Sequence, residues 1–545
     1  MAHRQVIVEL RYSKGLAESA FAAVPAAEKT LDTGTVPKIA GVKFDESYAP
    51  TSLPRLTPRT AMDVPYVSGE MFDVALEPEE STYIVRAEAA EEKLEALAES
   101  RAVVGVYADV QIEPTIICPS SPPLGTHTDV ERLLCVPQLH GAGMDGSGVL
   151  VAIVDTGFNV AYLASRGKPI TLDVARSWVP DSGLVPGDAP VSHGTSHGTM
   201  CAFDVAITAP KATFLDIQLL RSTATGPTPM SGLLSDAIQA YGHLCDVMRA
   251  PQRPGENRSM VVNNSWGMFH PEWDFPVGDP GNYSDNPNHP FNRIVGTLER
   301  LGADILFAAG NCGANCADGR CRGVTTNAIY GANGHPSVLT IAGVDVSKTR
   351  VGYSTQGPGR LSRFKPDLSG YTHFQGSGVY SADGGTSAAT PVVAGVVAAV
   401  RTRRPYSPGN PFVAPGALRA VMRLTAEDLG SAGFDFDHGF GAVSGCRLVR
   451  LFGRPESVPS ESPPPIPVPR RPRTARMPIG PERVPQPAAP CTPEPDASQV
   501  NAQAEGLAEL FKATWQAGYN EGRRASGNES ANAGGSGSCG CGDTP

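Results

Sequence analysis

Short, wholly apolar runs separated by helical patterns fill the middle of the chain. The runs predicted to be strands lie at 149–155, 212–220, 260–266, 303–311 and 337–344. Helices are predicted between and after them, at 198–207, 231–249, 290–302, 388–403 and 415–428. Unbroken apolar runs, rather than alternating ones, are typical of parallel strands whose sheet is covered on both faces. Residues 129–452 are therefore predicted to form a doubly wound α/β domain with a mostly parallel sheet.

The N-terminal residues 1–115 follow a different order of elements. The pattern predicts a strand at 6–12, a helix at 16–31, extended segments near 42 and at 72–75, a strand at 81–87, a helix at 90–100 and a strand at 103–113. This order, β-α-β-β-α-β, predicts a ferredoxin-like α+β domain in which two helices cover one sheet.

The remaining segments are predicted to lie outside both domains. Pro, Ser and Thr residues without a helical or strand period mark 116–128 as a linker. Residues 453–496 are so rich in proline that they are predicted to be extended and disordered. A short helix is predicted at 497–524, and a flexible Gly/Ser/Cys tail at 525–545.

Composition and charge exclude several classes of protein. The 545 residues include 59 Gly and 50 Pro, which excludes a coiled coil or a helical bundle. A formal net charge of −10 gives no broad basic surface, so nucleic acid is not expected as a partner, and no apolar run predicts a membrane span. The lack of an apolar signal segment predicts a cytoplasmic protein, with export by an unrecognised route as the alternative. In the cytoplasm the 11 cysteines are predicted to be mostly reduced thiols.

Four polar residues lie at predicted strand ends or helix starts, where α/β sheets form their sites. Asp155 ends the first apolar strand, His197 begins a helix, Asn311 ends a later strand, and Ser387 lies at the start of another helix. Each of them alone also fits an ordinary structural role, such as that of a capping serine. His193, in the first of two His-Gly-Thr triplets, has no helix directly after it and is predicted to be a loop residue.

Four short sequences around these residues resemble the signatures of the subtilisin-like serine peptidases, the subtilase family. They are DTG at 155–157, HGTMCA at 197–202, AAGN at 308–311 and GTSAATP at 385–391. The chain order Asp, His, Ser is also the order of the catalytic triad in this family. The segment VVNNSWG at 261–267 resembles the family's edge strand, which pairs with the substrate backbone.

The resemblance implies a role for each of these residues. Ser387 would be the nucleophile, His197 the general base and Asp155 the residue that orients the imidazole. The Asn311 side chain and the backbone N–H of Ser387 would bind the oxyanion. Residues implied to contact the substrate are Ser265, Trp266, Gly267, Ala308, Ala309 and Gly310. This chemistry requires no catalytic metal and no cofactor, and the structural calcium that the family often binds has no recognisable site in the sequence.

The resemblance also implies a function. The expected activity is that of a serine endopeptidase that hydrolyses peptide or protein substrates through an acyl-enzyme, with a dedicated peptide precursor as a hypothesis. Residues 1–115 resemble the family's propeptide, so we expect an intramolecular inhibitor that is removed by autoprocessing, with a permanently attached domain as the alternative. Two other functions stay open, a noncatalytic peptide-binding module and a transpeptidase or macrocyclase that uses the same acyl-enzyme.

Two loops after the predicted strands leave alternatives open. Three cysteines, Cys312, Cys316 and Cys321, follow Asn311, and free thiols are favoured, with a disulfide as the next alternative. A metal site is the least favoured alternative because a fourth ligand is missing. The insertion after Gly267 is interpreted as a solvated acidic loop, with a pocket for a basic substrate side chain as the alternative. Its acidic residues are Glu272, Asp274, Asp279 and Asp285.

Overall fold

A computed structural model of the protein describes residues 3–22, 29–54, 56–58, 72–74, 81–114, 121–180, 183–191, 196–223 and 230–453. The predicted linker at 453–496, helix at 497–524 and tail at 525–545 lie outside the described residues, except for Gly453, and so does His193. Across the described ranges, no helix combines the length and the apolar character that a membrane crossing requires.

The described residues between 3 and 114 form one main antiparallel sheet and two α-helices. The elements are β1 (His3–Leu10), α1 (Lys14–Ala20), β2 (Val42–Phe44), β3 (Thr51–Pro54), β4 (Leu56–Pro58), β5 (Phe72–Val74), β6 (Ser81–Ala90), α2 (Leu94–Ala98), β7 (Val103–Ala108) and β8 (Gln111–Pro114). The main sheet has the order β2-β6-β1-β7, with β3 also paired to β6, whereas β4 and β5 pair with each other. All its pairs are antiparallel, and a helix follows each of the two central strands, α1 after β1 and α2 after β6, which is the predicted ferredoxin-like arrangement.

The strand predicted at 103–113 is divided into β7 and β8, and the division occurs at Asp109. The carboxylate of Asp109 accepts hydrogen bonds from the backbone N–H and the hydroxyl of Ser235, at 2.9 and 2.6 Å. These bonds tie the chain to the second domain immediately after β7. Strand β8 therefore pairs with strands of that domain and not with the N-terminal sheet.

The second domain is built on a seven-stranded parallel sheet. The described strands of the domain are β9 (Leu150–Val154), β10 (Thr171–Leu172), β11 (Thr213–Ile217), β12 (Gly232–Leu233), β13 (Met260–Asn264), β14 (Trp266–Gly267), β15 (Ala303–Ala308), β16 (Leu339–Val344) and β17 (Leu368–Tyr371), and all but β12 and β14 belong to this sheet. The sheet order is β10-β11-β9-β13-β15-β16-β17. All five predicted strands are in this sheet, which confirms the doubly wound α/β prediction. Strands β10 and β17, with 2 and 4 residues, are too short for a pattern to predict them.

Helices cover this sheet. They are α3 (His127–Leu133), α4 (Val136–Gly141), α5 (Val160–Ser165), α6 (His197–Thr208), α7 (Leu234–Arg249), α8 (Pro290–Arg300), α9 (Gly385–Arg403), α10 (Pro415–Leu424) and α11 (Gly445–Phe452). The five predicted helices correspond to α6 to α10. The other four have six to eight residues each, which is too short for a helical period in the sequence.

Helices α6 and α9 pack against each other in the core and are buried along almost their whole length. A Cβ atom at Gly395 of α9 would lie 2.5 Å from the carbonyl oxygen of Val205 in α6, so the two backbones touch. His197 is the first residue of α6, and Ser387 lies in the first turn of α9. The packing of these two helices therefore sets the separation of the two residues.

The N-terminal sheet packs against helices α7 and α8 of the second domain. The buried carboxylate of Glu9 accepts a hydrogen bond from the guanidinium of Arg293 at 2.7 Å. The hydroxyl of Tyr48 donates to the carbonyl oxygen of Ser235 at 2.7 Å, and Arg86 donates to the Ser235 hydroxyl at 2.8 Å. Buried polar contacts of this kind fix one orientation of the two domains, because breaking them would leave charges without partners.

Candidate active site

Asp155 and His197 form a buried pair at the carboxyl end of the parallel sheet. Asp155 directly follows β9, and its two carboxylate oxygens lie 2.8 and 2.9 Å from Nδ1 of His197. A carboxylate only accepts hydrogen bonds, so Nδ1 carries the hydrogen and Nε2 is left as the basic nitrogen of the neutral ring. Nε2 is buried and has no hydrogen-bond partner among the described residues.

The backbone around this pair leaves no space for side chains. A Cβ atom at Gly198 would lie 2.4 Å from the carbonyl oxygen of Gly157 and 3.2 Å from the Cβ of Asp155. The Gly198 N–H donates to the hydroxyl of Thr156 at 2.9 Å. The Asp-Thr-Gly turn and the His-Gly start of α6 therefore interlock, which explains why both short sequences contain glycine.

Ser387 is buried in the first turn of α9. Its hydroxyl donates to the carbonyl oxygen of Ser265 at 3.1 Å, and its own carbonyl oxygen accepts from the Ser265 hydroxyl at 3.0 Å. Ser265 connects β13 to β14, so the hydroxyl of Ser387 lies beside the edge strand that the sequence implied for substrate binding.

A fourth residue, Cys201, lies beside Asp155, His197 and Ser387, and the sequence analysis did not identify it. Its sulfur lies 3.6 Å from Asp155 Oδ2, 3.9 Å from His197 Nδ1 and 3.7 Å from the carbonyl oxygen of Ser387. Burial and the neighbouring Asp155 carboxylate raise the pKa of this thiol well above its usual value. One group of possible metal ligands in the described part of the chain consists of Asp155, His197 and Cys201, whose donor atoms all lie within 4.8 Å of one another. In this structure these atoms form hydrogen bonds with each other.

Asn311 follows β15 and faces the start of α9. Its carbonyl Oδ1 accepts hydrogen bonds from the backbone N–H and the hydroxyl of Thr386, both at 3.0 Å. The hydroxyl of Thr386 in turn accepts from the N–H of Gly310 at 3.1 Å. Because these contacts fix which side of the amide is the acceptor, the NH₂ group of Asn311 is on the opposite side, where it can serve as a donor.

The edge strand β14 pairs with a segment of the same chain. Strand β8 lies between β12 and β14 in a three-stranded antiparallel sheet. Gly267 pairs with Glu113 and Trp266 with Pro114, while Gly232 of β12 pairs with Ile112. The backbone of the N-terminal region therefore occupies the place where the sequence implied a substrate backbone.

Of the residues predicted to contact substrate, some line a pocket and others are buried in the core. Gly267, Ala309 and Gly310 line a small and mostly apolar pocket beside Asn311. Other residues of this pocket are Met268, Phe269, Cys312, Ala328, Tyr330 and Asn333. Ala308 and Trp266 are buried in the structure, and the indole N–H of Trp266 donates to the Val154 carbonyl oxygen at 3.0 Å.

Asn333, which the sequence analysis did not single out, holds the two walls of this pocket together. Its side-chain NH₂ group donates to the carbonyl oxygens of Trp266 and Ala308, at 2.8 and 2.9 Å. It lies far along the chain from both strands and in no recognised motif, so no signal in the sequence could have identified it.

The prediction of mostly reduced cysteines is wrong for five described cysteines. Disulfides join Cys135 to Cys446 and Cys312 to Cys321, and Cys316 is also disulfide-bonded. Cys201 and Cys245 are the free thiols within the described part of the chain. The pairing of Cys135 with Cys446 spans 311 residues, so the spacing of cysteines could not reveal it.

The acidic insertion after Gly267 is more ordered than a solvated loop. Asp274 is buried and accepts hydrogen bonds from the backbone N–H groups of Tyr283 and Ser284, at 2.9 and 2.8 Å. Burial raises the pKa of this carboxyl group. The solvated interpretation is therefore wrong for Asp274, which folds the insertion, whereas Glu272 is exposed and pairs with Arg322.

Comparison with known proteins agrees with this geometry. The model of the Subtilase family of peptidases matches residues 146–441, more than half of the chain. Subtilisin BL of Lederbergia lenta is 25% identical over 299 residues, which are 54% of this chain and 89% of that protein. Subtilisin of Bacillus pumilus is 27% identical over 320 residues, which are 56% of this chain and 93% of that protein. Subtilisin E of Bacillus subtilis (strain 168) is 28% identical over 281 residues, which are 49% of this chain and 59% of that protein. The chain therefore belongs to the subtilase family and is a serine endopeptidase of the subtilisin type.

Proposed function

We propose that Asp155, His197 and Ser387 are the catalytic triad of an endopeptidase that is inhibited by its own N-terminal region and removes that region by autoprocessing. The observation that carries this proposal is the pairing of β8 with β14 next to Ser387. A strand added to the edge of a cleft in this way is a common mode of peptide binding. The N-terminal region then acts as the first substrate and afterwards as an inhibitor.

The proposed reaction begins with Ser387. Its Oγ attacks the carbonyl carbon of the scissile bond, while Nε2 of His197 accepts the hydroxyl proton. Asp155, bonded to Nδ1, keeps the ring in the required tautomer and stabilises the imidazolium. The NH₂ group of Asn311 and the backbone N–H of Ser387 stabilise the oxyanion, assisted by the N-terminal end of α9. His197 then protonates the leaving amine, and water hydrolyses the acyl-enzyme.

The pairing of β8 with β14 indicates where the chain is cleaved. Gly267 pairs with Glu113 and Trp266 with Pro114, and Ser265 directly precedes Trp266 in the chain. Ser265 is the residue whose carbonyl oxygen accepts the hydrogen bond of the Ser387 hydroxyl. We therefore propose that the bond one residue beyond Pro114, between residues 115 and 116, is cleaved.

Mass spectrometry and N-terminal sequencing of the purified wild type and of Ser387→Ala test this proposal. We expect the wild type to acquire a new N-terminus at Ile116 and the Ser387→Ala variant to remain intact. A wild-type chain that reacts with a fluorophosphonate at Ser387 but stays full length would contradict autoprocessing and favour a permanently attached domain. A chain that neither reacts nor is cut, even after trace proteolysis, would favour the noncatalytic binding module.

The nature of the acyl acceptor is a separate part of the proposal. We propose water, which makes the protein a hydrolase, and a dedicated peptide precursor as its substrate. A transpeptidase or macrocyclase would instead transfer the acyl group to an amine. Incubation of a substrate peptide in H₂¹⁸O distinguishes the two, because hydrolysis alone introduces ¹⁸O into the new carboxylate.

We also propose that the protein acts outside the cytoplasm. Disulfides persist in oxidising compartments and are rare in the cytoplasm, so the cystines of this chain favour export over the predicted cytoplasmic location. Cell fractionation with immediate thiol alkylation tests this inference. Recovery of the protein in the cytoplasmic fraction with all cysteines alkylated would contradict it.

A further inference from the structure

Strand β8 presents its side chains to the cleft as a bound peptide would, and one of them is a buried carboxylate. The side chain of Glu113 is 1% exposed. Its Oε2 accepts a hydrogen bond from Nη1 of Arg320 at 2.8 Å, and its Oε1 accepts from the side-chain amide of Gln111 at 2.7 Å. Arg320 lies 207 residues further along the chain, in the catalytic domain. The carboxylate thus has an ionic partner that belongs to the enzyme.

Arg320 is held in place by the enzyme itself. It belongs to the loop that the disulfide Cys312–Cys321 closes directly after Asn311. Its Nε and Nη2 donate to the two carboxylate oxygens of Asp318, at 3.0 and 2.8 Å. The N–H of Asp318 donates to the Asn311 carbonyl oxygen at 2.9 Å, so this loop is joined to the proposed oxyanion site.

The guanidinium of Arg320 also lies over the ring of Phe269, 3.6 Å from its centroid. Phe269 lines the pocket beside β14. With Asp318 on one edge and an aromatic face beneath, the group has little freedom to move, and Nη1 is the donor that points at β8. A guanidinium fixed in this way loses little entropy when it binds a carboxylate.

From this arrangement we propose that Arg320 forms a specificity subsite that selects an acidic side chain at the substrate residue paired with Gly267, the third residue before the scissile bond. This inference rests on the proposed function, since it takes β8 as a substrate analogue. Once the N-terminal region has left, a peptide with Glu at this position regains the buried ion pair with Arg320. A Lys there would bring a second cation next to Arg320 in a site with little solvent, which is strongly unfavourable.

The substrate class follows from the proposal. Preferred substrates are peptides and proteins with an acidic residue at the third position before the cleaved bond. A charge-assisted hydrogen bond at a poorly solvated site discriminates against a neutral side chain by about tenfold or more. The preference is a property of this chain's disulfide-closed loop and not of the triad.

The test uses the processed enzyme and four peptides that copy residues 112–117 with Glu, Gln, Ala or Lys at the position of Glu113. We expect kcat/KM to be about tenfold or more higher for Glu than for Gln and Ala, and lowest for Lys. In Arg320→Glu the order is expected to reverse, with the Lys peptide cleaved faster than the Glu peptide. The control is Arg322→Gln, in the same region but paired with the exposed Glu272, and it should keep the wild-type order.

A second readout uses the intact chain. We expect Glu113→Lys to slow self-cleavage and Arg320→Glu to restore it when both changes are combined. The rate of fluorophosphonate labelling at Ser387 reports the triad separately. Normal labelling with equal cleavage of all four peptides, and no rescue in the double variant, would overturn the subsite alone. Loss of labelling and of all peptide cleavage in the wild type would instead overturn the proposed function and this inference with it.

Discussion

Gly395→Ala tests whether the contact between α6 and α9 sets the geometry of the triad. The added Cβ would lie 2.5 Å from the carbonyl oxygen of Val205, whereas an ordinary contact begins at 3.4 Å. The two helices must therefore separate by about 0.9 Å, the difference between these distances. Overpacking of this kind costs roughly 1–3 kcal/mol of unfolding free energy. His197 and Ser387 move apart with their helices, and a shift of about 1 Å at a catalytic pair costs about 10²-fold in rate.

The assay has two parts, and each has a matched control. Urea unfolding in the Ser387→Ala background avoids autoprocessing and gives the change in stability, while kcat/KM of the processed enzyme gives the change in activity. Gly141→Ala is the control, because a Cβ at this position in α4 meets no atom within 4 Å. We expect it to change stability by less than about 0.5 kcal/mol. If Gly395→Ala matched Gly141→Ala in both measurements, the helix contact would not position the triad.

Three further predictions concern the triad, a disulfide and a buried acid. Asp155→Asn should lower kcat for peptide hydrolysis by about 10⁴-fold with little change in KM, because an amide at this position no longer holds the catalytic tautomer of His197. A loss of less than tenfold would contradict the role of Asp155. Cys446→Ser, which breaks the disulfide to Cys135, should lower the unfolding free energy by roughly 2–5 kcal/mol in non-reducing urea titrations, and a variant as stable as the wild type would contradict this role of the disulfide. Burial raises the pKa of Asp383 to about 6, whereas the unfolded chain releases this proton nearer pH 4. Between these two pH values the native state binds more protons than the unfolded state, so the free energy of unfolding falls as the pH rises from about 4 to about 6. Asp383→Asn should remove up to about 3 kcal/mol of this pH dependence between pH 4 and 6, and an unchanged slope of stability against pH would refute the assignment.

Local patterns were sufficient to predict the scaffold. Each of the five apolar runs became a strand of the central sheet, because parallel strands covered on both faces leave an unbroken apolar signal. The candidate site residues could also be selected from the sequence, since Asp155, His197, Asn311 and Ser387 lie in short sequences that combine small residues with a polar one at an element's end. The contact of Gly198 with Gly157 shows the reason, because the backbone there has no space for larger residues.

Contacts between distant parts of the chain could not be predicted in this way. The Cys135–Cys446 disulfide and the ion pair between Glu113 and Arg320 join residues that are more than 200 positions apart. Asn333 bridges two strands from a four-residue 3-10 helix, which is too short to leave a periodic pattern in the sequence. Such contacts depend on how the completed elements pack, and that information is spread over the whole chain.

The most direct test of the central claim is the rate and the site of fluorophosphonate labelling in the processed enzyme. The account predicts that peptide mapping finds the label on Ser387. It also predicts that the second-order rate constant falls by at least about 10³-fold in a His197→Ala variant whose N-terminal region has been removed by trace proteolysis, because the base that activates Ser387 is then absent. A label on another residue, or an unchanged rate in His197→Ala, would contradict the proposal that Asp155, His197 and Ser387 act together.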